Sequence, residues 1–481
     1  MSDSSAIGAA SFRDPDGRLF TFKGRVLRAV SASGRASLDA FLCSRALEKA
    51  RQHGGAINAR ELSDEESSCV LADAHARRVY DSCNGQLLVE HDAIPFPSYP
   101  AEWPPEMLLA AAEHTIALAL ELLEEGLGLK DATPYNILFR GSQPVFVDAL
   151  SIERRSAEDP IWLPYAQFER TFVLPLLVSR YFGVSLSQVF ANQRDGVEAE
   201  EVYRMTPALR RLMPPFLGAV SLPTWLGRRH KSEDASIYQA RRVAPEQAKF
   251  ILRRRLESAR RQLRRVAPGR HTSDWAEYAQ SHSYTEAQLR MKEDTIERLL
   301  RESRPQTVLD VGCNTGRFSL LAAAAGSDVI AIDVDPVSVG RVWTAAKAAQ
   351  AKVLPLVVNL ARPTPSMGWR NQETASFLQR ARDRFDCVLM LAVLHHLLVS
   401  ERVPLDEVID LAAELTRELL VIEFVAPGDA MFRRITRGRE HLHEGLNTEV
   451  FERSALRRFE KISGKQISGS ERWLYVFRKR R

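Results

Sequence analysis

The stretch VLDVGCNTGRFSLLAAAAGSDVIAIDVDP, residues 308–336, decides the fold of the C-terminal half. An apolar run containing Asp310 breaks at Gly312 and Gly316, resumes with a helical pattern, and leads into a second apolar run that reaches Asp333. Glycine lets the backbone approach a ligand without a Cβ in the way. Because doubly wound sheets bind ligands at the carboxyl ends of their strands, the stretch predicts a strand–turn–helix–strand unit with a binding site at the turn.

The glycine spacing argues against the two common phosphate-binding turns. Gly312-x-x-x-Gly316 is not the GxGxxG of dinucleotide sites, and no Gly-Lys-Ser/Thr follows as in a Walker loop. A carboxylate at Asp310 suits a ligand with positive charge, or with hydroxyl and amino donors, better than a pyrophosphate. Asp333 follows Gly312 by 21 residues, and an acid at that position accepts hydrogen bonds from ribose hydroxyls. Asn359, at the end of the third predicted strand, can meet an adenine edge.

From about residue 306 onward, strand patterns alternate with helical patterns. Short apolar strands joined by helices form a parallel sheet covered on both faces. The last two strands, joined by a short Gly-Ser turn, should add an antiparallel edge. The predicted strands are 306–312, 328–335, 353–359, 385–391, 418–425, 460–468 and 471–479, and the predicted helices are 317–325, 337–350, 372–383 and 405–416.

These motifs resemble motif I and the adjacent acidic motif of class I S-adenosylmethionine-dependent methyltransferases, over roughly residues 272–481. The resemblance implies an α/β fold, a seven-stranded Rossmann-like sheet with an antiparallel last strand, and S-adenosyl-L-methionine as cofactor. It implies a ribose contact from Asp333 and an adenine contact from Asn359. The alternative is a nucleotide-binding or inactive Rossmann-like domain. The resemblance also implies cofactor contacts from the turn and from the segment before the first strand: Asp310, Gly312, Cys313, Asn314, Gly316, Tyr278, Tyr284 and Lys292. For the last three, helix packing is the alternative.

The stretch LAVLHHLL places His395 and His396 just beyond the fourth predicted strand. Either side chain could act as a base, since histidine titrates near neutrality. Alternatively, one caps the next helix and the other packs under the sheet. No Asp/Asn-Pro-Pro-Tyr stretch is present, so methylation of nucleic-acid amines is not favoured. Residues 426–447 form a long predicted loop whose basic residues suit an anionic acceptor, or which is simply solvated: Arg433, Arg434, Arg437 and His441.

A second informative stretch, LKDATPYNILFRGSQPVFVD, spans residues 129–148. Asp131 and Asn136 fit a D-x-x-P-x-N pattern, and Asp148 follows twelve residues after Asn136. This resembles the catalytic loop and metal-binding Asp of protein kinases and aminoglycoside phosphotransferases. The resemblance implies that Asp131 orients a hydroxyl, and that Asn136 and Asp148 hold magnesium with ATP. Asp131 and Asn136 are otherwise turn and cap residues.

This second resemblance has clear departures. Lys130 replaces the expected arginine, Ala149 and Leu150 follow Asp148, and no glycine-rich phosphate loop is present. We therefore expect an α+β kinase-like module for substrate or partner binding. The alternatives are a bifunctional protein with an ATP/Mg-dependent phosphotransferase domain and a non-catalytic scaffold.

The predicted domain boundaries follow from these patterns. The kinase-like module covers residues 1–248, with a small lobe at about 11–95 and a helical lobe at about 100–248. A basic linker helix covers 249–271, and the methyltransferase domain covers 272–481. Within the module, residues 11–30 predict a hairpin that turns at Asp16–Gly17, 85–91 a strand, and 37–53 and 105–126 helices.

Composition bounds the remaining possibilities. Hydrophobic residues make up 45% of the chain, enough for full cores, and the five cysteines include no CxxC pair. No signal peptide and no apolar run of about 18 residues is present, so we expect a cytoplasmic protein without a transmembrane segment. The net charge is +5, but Lys249–Arg270 carries +8 alone, so the rest sums to −3. Nucleic-acid binding through this helix is possible but not favoured over a helix docked on either domain.

As a whole, the two-part chain resembles bacterial methyltransferase-domain proteins that include a host-specific nodulation protein. That resemblance identifies no acceptor. Protein, tRNA or rRNA, lipid-linked sugar and small metabolites all stay open.

Overall fold

The computed structural model of this 481-residue chain describes residues 11–229, 242–269 and 284–480. The described residues form two compact units. The first lies within Met1–Gly269 and Ser366–Ala375, and the second within Arg270–Pro365 and Ser376–Arg481. The predicted cofactor contact Tyr278 lies outside the described residues.

Strands β1–β8 belong to the first unit and span Gly17–Phe22, Arg25–Ser31, Ala59–Glu61, Gly85–His91, Leu127–Leu129, Ile137–Arg140, Gln143–Phe146 and Ile152–Arg154. Four of them form an antiparallel sheet in the order β1-β2-β4-β3. The others form two short antiparallel pairs, β5 with β8 and β6 with β7. The unit is therefore a mixed α+β structure.

The N-terminal hairpin forms, but the predicted turn at Asp16–Gly17 is wrong. The turn lies at Lys23 and Gly24, with φ angles of 49° and 80°. Two-residue hairpin turns of this kind need positive φ at both central positions. The Asp16 carboxylate instead binds the ammonium of Lys130 at 2.9 Å. A residue that the local pattern assigns to a turn therefore makes a tertiary contact.

Helices of the first unit span Arg35–Cys43, Arg45–Gln52, Asp64–Leu71, Ala74–Ser82, Pro105–Glu124, Tyr165–Phe168, Leu174–Phe182, Leu186–Asn192, Ala199–Met205, Leu222–Arg229 and Pro245–Val266. The single helix predicted over 37–53 is two helices, because Ser44 is extended and its hydroxyl caps the second one at Leu47 N–H. A π-helical turn over Glu169–Val173 precedes Pro175. Proline lacks the N–H for a regular helical bond, and such a turn accommodates the loss.

The basic helix Pro245–Val266 packs on the helix Pro105–Glu124 within the first unit. Lys249 and Arg253 pair with Glu124 across this contact. The helix is therefore docked within the first unit, and its remaining arginines are mostly exposed. Apolar residues that recur at helical spacing form the buried face of this helix: Leu252, Leu256, Ala259, Leu263 and Val266.

Strands β9–β15 belong to the second unit and span Thr307–Val311, Asp328–Asp333, Val353–Val357, Phe385–Met390, Thr416–Val425, Phe459–Gln466 and Arg472–Lys479. They form one sheet in the order β11-β10-β9-β12-β13-β15-β14. Strands β9 to β13 are parallel, and β15 is antiparallel to both β13 and β14. The predicted seven-stranded Rossmann-like sheet is confirmed. The strand order reverses between β9 and β12, so the rule for doubly wound sheets predicts a ligand crevice beyond Val311.

Helices of the second unit span Glu286–Ser303, Arg317–Ala324, Pro336–Ala348, Phe377–Ala381, Leu405–Leu415, Ala430–Thr436 and Thr448–Ala455. The helix predicted over 372–383 is wrong in its first half. Glu373 lies in the first unit, is 2% exposed, and pairs with Arg13 and Arg194 at 2.9 and 2.6 Å. The loop predicted over 426–447 is also partly wrong, because Asp429 caps the helix Ala430–Thr436 within it.

The core of the second unit explains why its strands can be predicted. Strands β9, β10 and β12 are buried at most positions on both faces of the sheet and are mostly apolar. Their polar residues lie at both ends: Thr307, Asp328 and Asp386 near the amino ends, and Asp310 and Asp333 near the carboxyl ends. Among the described helices, none is both long and apolar enough to span a bilayer.

Candidate active site

The turn between β9 and the helix Arg317–Ala324 has positive φ angles at three positions. Gly312, Asn314 and Gly316 have φ angles of 70°, 47° and 82°. A Cβ on Gly316 would lie 2.8 Å from a methyl carbon of Val342, and a Cβ on Gly312 would lie 3.3 Å from Val393. The two glycines therefore serve backbone conformation and close packing, in addition to any approach of a ligand.

Two carboxylates come from neighbouring strands at this turn. Asp310, on β9, is 2% exposed and accepts a hydrogen bond from the Ser319 hydroxyl at 2.6 Å. Burial raises the pKa of Asp310 from 3.8 to about 6. Asp333, at the end of β10, accepts the backbone N–H groups of Asn314 and Asp335 at 2.8 and 3.0 Å. Desolvation raises the pKa of Asp333 as well, and its carboxylate keeps capacity for further hydrogen bonds.

Two other predicted cofactor residues have their side chains engaged elsewhere. Asn359 accepts the Ala361 N–H at 2.9 Å and donates to Glu401 at 3.3 Å. The thiol of Cys313 is 7% exposed and belongs to the hydrophobic core of the sheet. Asn359 could therefore contact an adenine only after its hydrogen bond to Glu401 is broken. Cys313 could contribute only its backbone to the site.

A buried ion cluster, comprising Tyr284, Lys292, Glu423, Asp429 and Arg472, lies in the second unit. The Glu423 carboxylate accepts the Tyr284 hydroxyl at 2.6 Å and the Lys292 ammonium at 2.7 Å. Arg472 lies 3.6 Å from Glu423 and bonds Asp429 at 2.9 Å. The two cations and the two carboxylates therefore balance within the cluster.

The Tyr284 ring lies close to both cations of this cluster. The Lys292 ammonium is 4.3 Å and the Arg472 guanidinium 4.4 Å from its centroid, which are attractive cation–π distances. Lys292 also acts electrostatically on Asp310, in the direction that lowers the carboxyl pKa. The cluster therefore lies within electrostatic reach of Asp310. Contacts of Tyr284 and Lys292 with a cofactor stay a prediction.

Sequence reasoning missed Glu423, Asp429 and Arg472. One local sign was available: Glu423 interrupts the apolar run LLVIEFV of β13. Acids are almost never fully buried unless paired, so an acid in a central strand predicts a buried cation. Nothing in the sequence identifies Arg472 as that cation, because the two residues meet only through the pairing of β13 with β15.

His395 and His396 lie just beyond β12, with ring centroids 4.2 Å apart. His395 is 2% exposed, and its Nδ1 has no hydrogen-bond partner among the described residues. Burial, His396 and the positive charge of Arg472 lower the pKa of His395 well below 6.5. The pKa of His396 is lowered by burial and by Arg472. Both rings are therefore neutral at pH 7.

The residues at the crevice fit S-adenosylmethionine. Asp310 precedes a positive-φ turn, Asp333 accepts the Asn314 N–H of that turn, and the buried Lys292 acts electrostatically on Asp310. Carboxylates suit the ammonium, the sulfonium and the ribose hydroxyls, whereas lysine suits the carboxylate of the methionine part.

The predicted kinase-like residues all lie in the first unit. Asp131 is exposed after β5, Asn136 ends a 3₁₀ turn, and Asp148 follows β7. The guanidinium of Arg28, on β2, lies 3.1 Å from Asp148 and 3.4 Å from Asp14. The Nδ2 of Asn136 is buried and has no partner among the described residues.

This arrangement does not fit a preformed magnesium site. No group of three or more His, Cys, Asp or Glu side chains among the described residues is placed to hold a metal ion. Asp148, the predicted ligand, instead carries the guanidinium of Arg28.

Comparison with known proteins identifies the family. Residues 282–458 match the family described as a methyltransferase domain. Over 489 residues the chain is 30% identical to the nodulation protein NoeA of Rhizobium meliloti (strain 1021), covering 99% of this chain and 98% of that protein. The chain belongs to the NoeA family. With its methyltransferase domain, it is an S-adenosylmethionine-dependent methyltransferase.

Solved structures similar to this NoeA-family chain include two methyltransferases. The N-methyltransferase NodS from Bradyrhizobium japonicum WM9, in complex with S-adenosyl-l-homocysteine, is 16% identical with a TM-score of 0.32, covering 44% of this chain and 100% of NodS. Magnesium protoporphyrin IX methyltransferase (ChlM) from Synechocystis PCC 6803, with bound SAH, is 17% identical with a TM-score of 0.31, covering 43% of this chain and 93% of ChlM. The kinase-like interpretation of the first unit stays a prediction.

Proposed function

We propose that this NoeA-family enzyme methylates an oxygen or nitrogen of its acceptor, with the cofactor in the crevice beyond β9 and β10. One observation carries the assignment of the crevice. Asp310 and Asp333 come from adjacent parallel strands, and the positive-φ turn after β9 donates the Asn314 N–H to Asp333. Two carboxylates at this position repel a pyrophosphate and favour a ligand with cationic groups and hydroxyls.

Each part of the cofactor has a proposed partner. Asp333 accepts the ribose hydroxyls, and Asn359 recognises the adenine after exchanging Glu401. Lys292 and Tyr284, held by Glu423, lie at the methionine end. The turn itself completes that end of the site: Asp310, Gly312, Cys313, Asn314 and Gly316.

When bound, S-adenosylmethionine supplies an electrophilic methyl group on a sulfonium. The protein must then align the nucleophile and remove its proton where it carries one. We propose that His395 or His396 accepts this proton. Both rings are neutral at pH 7, and the Nδ1 of His395 has no partner among the described residues. Burial, with the positive charge of Arg472, lowers the pKa of both imidazoles and keeps them in this neutral form.

Calorimetry with S-adenosylhomocysteine tests the crevice. Asp333→Asn should weaken binding about 10- to 100-fold, since hydrogen bonds to charged groups contribute about 1.5–3 kcal/mol. Asp328→Asn is the matched control, because Asp328 starts the same strand at its opposite, exposed end. Equal affinity of wild type and Asp333→Asn, or no binding to either, would refute the proposed site.

For the first unit we propose a kinase-like module that binds a substrate or partner without transferring phosphate. The antiparallel sheet, with two helices between β2 and β3, supports such a fold. In kinases a strand lysine and a metal-binding Asp act on nucleotide phosphates. Here Arg28, on strand β2, instead forms an ion pair with the carboxylate of Asp148.

Thermal melting of the full chain separates this module from the bifunctional alternative. Addition of ATP with magnesium should leave the melting temperature unchanged in wild type and in Asp148→Ala. A magnesium-dependent rise that Asp148→Ala abolishes would establish the phosphotransferase instead. The exposed Asp81→Ala, in the same unit, is the control for a nonspecific effect of losing a carboxylate.

A further inference from the structure

The second unit contains an apolar groove of about 440 Å³ that no part of the proposed cofactor site uses. One wall comes from the residues that directly follow His395 and His396, the proposed bases, and includes Leu398 and Val399. The opposite wall comes from residues 435–450 and includes Ile435, Leu442 and Leu446. Ligand pockets in proteins typically measure about 300–1,000 Å³ and are mostly apolar, so the groove has the size and the lining of a small-molecule site.

The groove also has a charged rim. Arg402 and Arg439 line it and are exposed. Neither guanidinium has an ion-pair partner in the part of the chain that the structure describes. The neighbouring acid Glu401 is already paired with Arg362 at 2.8 Å. The rim therefore offers two cations to an anionic group.

Both walls connect to the proposed active site. The π-helical turn His396–Ser400 begins at the candidate base and carries Leu398 and Val399. The helix Ala430–Thr436 contacts this turn and is capped by Asp429. Asp429 in turn bonds Arg472 of the buried ion cluster. A ligand in the groove would therefore lie beside the elements that hold the histidines and the cluster.

Apolar side chains that line the groove are exposed to solvent. The Leu442 side chain is 65% exposed and Val450 is 36% exposed, both at the groove. Exposed apolar surface with a polar rim is typical of binding sites.

We infer that this groove binds the aliphatic part of a soluble methyl acceptor, and that Arg402 and Arg439 bind a carboxylate or phosphate on the same molecule. The inference rests on the proposed function, because it places the acceptor next to His395 and His396. The concave shape favours a single small molecule over a membrane surface.

Isothermal titration with decyl phosphate, below its micellar concentration, tests the groove in the full chain. We expect saturable binding with one site, and no binding of decyltrimethylammonium, which has the same chain and the opposite charge. Arg439→Gln and Leu442→Asp should each weaken decyl phosphate at least fivefold. Both positions are exposed, so these variants should fold. Arg301→Gln, an exposed arginine on the helix Glu286–Ser303, should bind as wild type does.

Parallel titrations with S-adenosylhomocysteine separate the two proposals. Unchanged S-adenosylhomocysteine binding with no saturable decyl phosphate binding overturns the groove alone. Equal binding of the cationic probe, or binding only to anionic phosphatidylglycerol vesicles, also overturns it. Loss of S-adenosylhomocysteine binding in wild type refutes the proposed crevice, and the groove then loses its role as an acceptor site.

Discussion

The carboxylate of Glu423 lies 2.7 Å from the ammonium of Lys292, where the two side chains are 0% and 3% exposed. Removing one member of a buried pair leaves the other charge uncompensated, which costs about 3–5 kcal/mol. Glu423→Ala should therefore lower the free energy of unfolding by about this amount. The substitution leaves the buried Lys292 without its carboxylate partner and removes one of the two carboxylates near Arg472. Urea unfolding followed by circular dichroism measures the change.

The matched control for this prediction lies on the same strand. Glu418 is 55% exposed and lies 4.0 Å from Arg478, and exposed pairs contribute about 0–1 kcal/mol. Glu418→Ala should therefore unfold close to the wild-type midpoint. If the two variants were equally stable, the buried ion cluster would not stabilise the second unit.

Gly316→Ala should destabilise the protein through two effects. The φ of 82° is costly for a residue with a Cβ, and that Cβ would lie 2.8 Å from Val342. Left-handed backbone costs about 1–2 kcal/mol, and overpacking adds about 1–3 kcal/mol. Gly326→Ala is the control, since its φ of 103° is also positive but nothing lies within 4 Å of its Cβ.

The packing part of this effect has its own test. In the double variant Gly316→Ala/Val342→Ala, the clash is removed while the backbone cost stays. The cost of Gly316→Ala should therefore be smaller in the Val342→Ala background than in wild type, when melting temperatures of all four proteins are compared. Full additivity would exclude the clash and leave only the backbone conformation.

Strands β9 and β10 could be predicted because they are short, mostly apolar and bounded by glycine, proline or acids. In such strands the local pattern and the tertiary environment agree. The first half of the helix predicted over 372–383 fails for the opposite reason. Glu373 pairs with Arg13, 360 positions earlier in the chain, and a contact at that separation leaves no local pattern.

The candidate site divides along the same line. Asp310, Gly312 and Asp333 belong to one continuous stretch with a known spacing, so their proximity could be predicted. Glu423 and Lys292 are 131 positions apart, and only the folded sheet brings them together. Their charges identify them as possible partners, but charge alone cannot select one lysine or arginine among 66.

Asp310→Asn should stabilise the protein without ligand at pH 7.5 and weaken S-adenosylhomocysteine binding. Burial raises the pKa of Asp310 to about 6, so the folded state binds its proton more tightly than the unfolded state. Stability from this group is complete below about pH 4 and is lost as the pH rises to about 6, after which ionisation costs about 2–3 kcal/mol. The variant should therefore exceed wild type at pH 7.5 and match it near pH 4, in melts across pH. Asp328→Asn, exposed at the start of β10, should show no such pH dependence.

His395→Asn should flatten the loss of stability on acidification. Burial and the charge of Arg472 hold the pKa of His395 well below 6.5. Below pH 6.5, this histidine therefore binds a proton in the unfolded chain but stays neutral in the folded chain. Stability from this group is complete above pH 6.5 and is lost as the pH falls, by up to about 1.4 kcal/mol per pH unit. Urea midpoints between pH 7.5 and 5.5 should fall less steeply in the variant than in wild type. The exposed His441→Asn should keep the wild-type slope, and equal slopes in all three proteins would show that the imidazole is not held neutral.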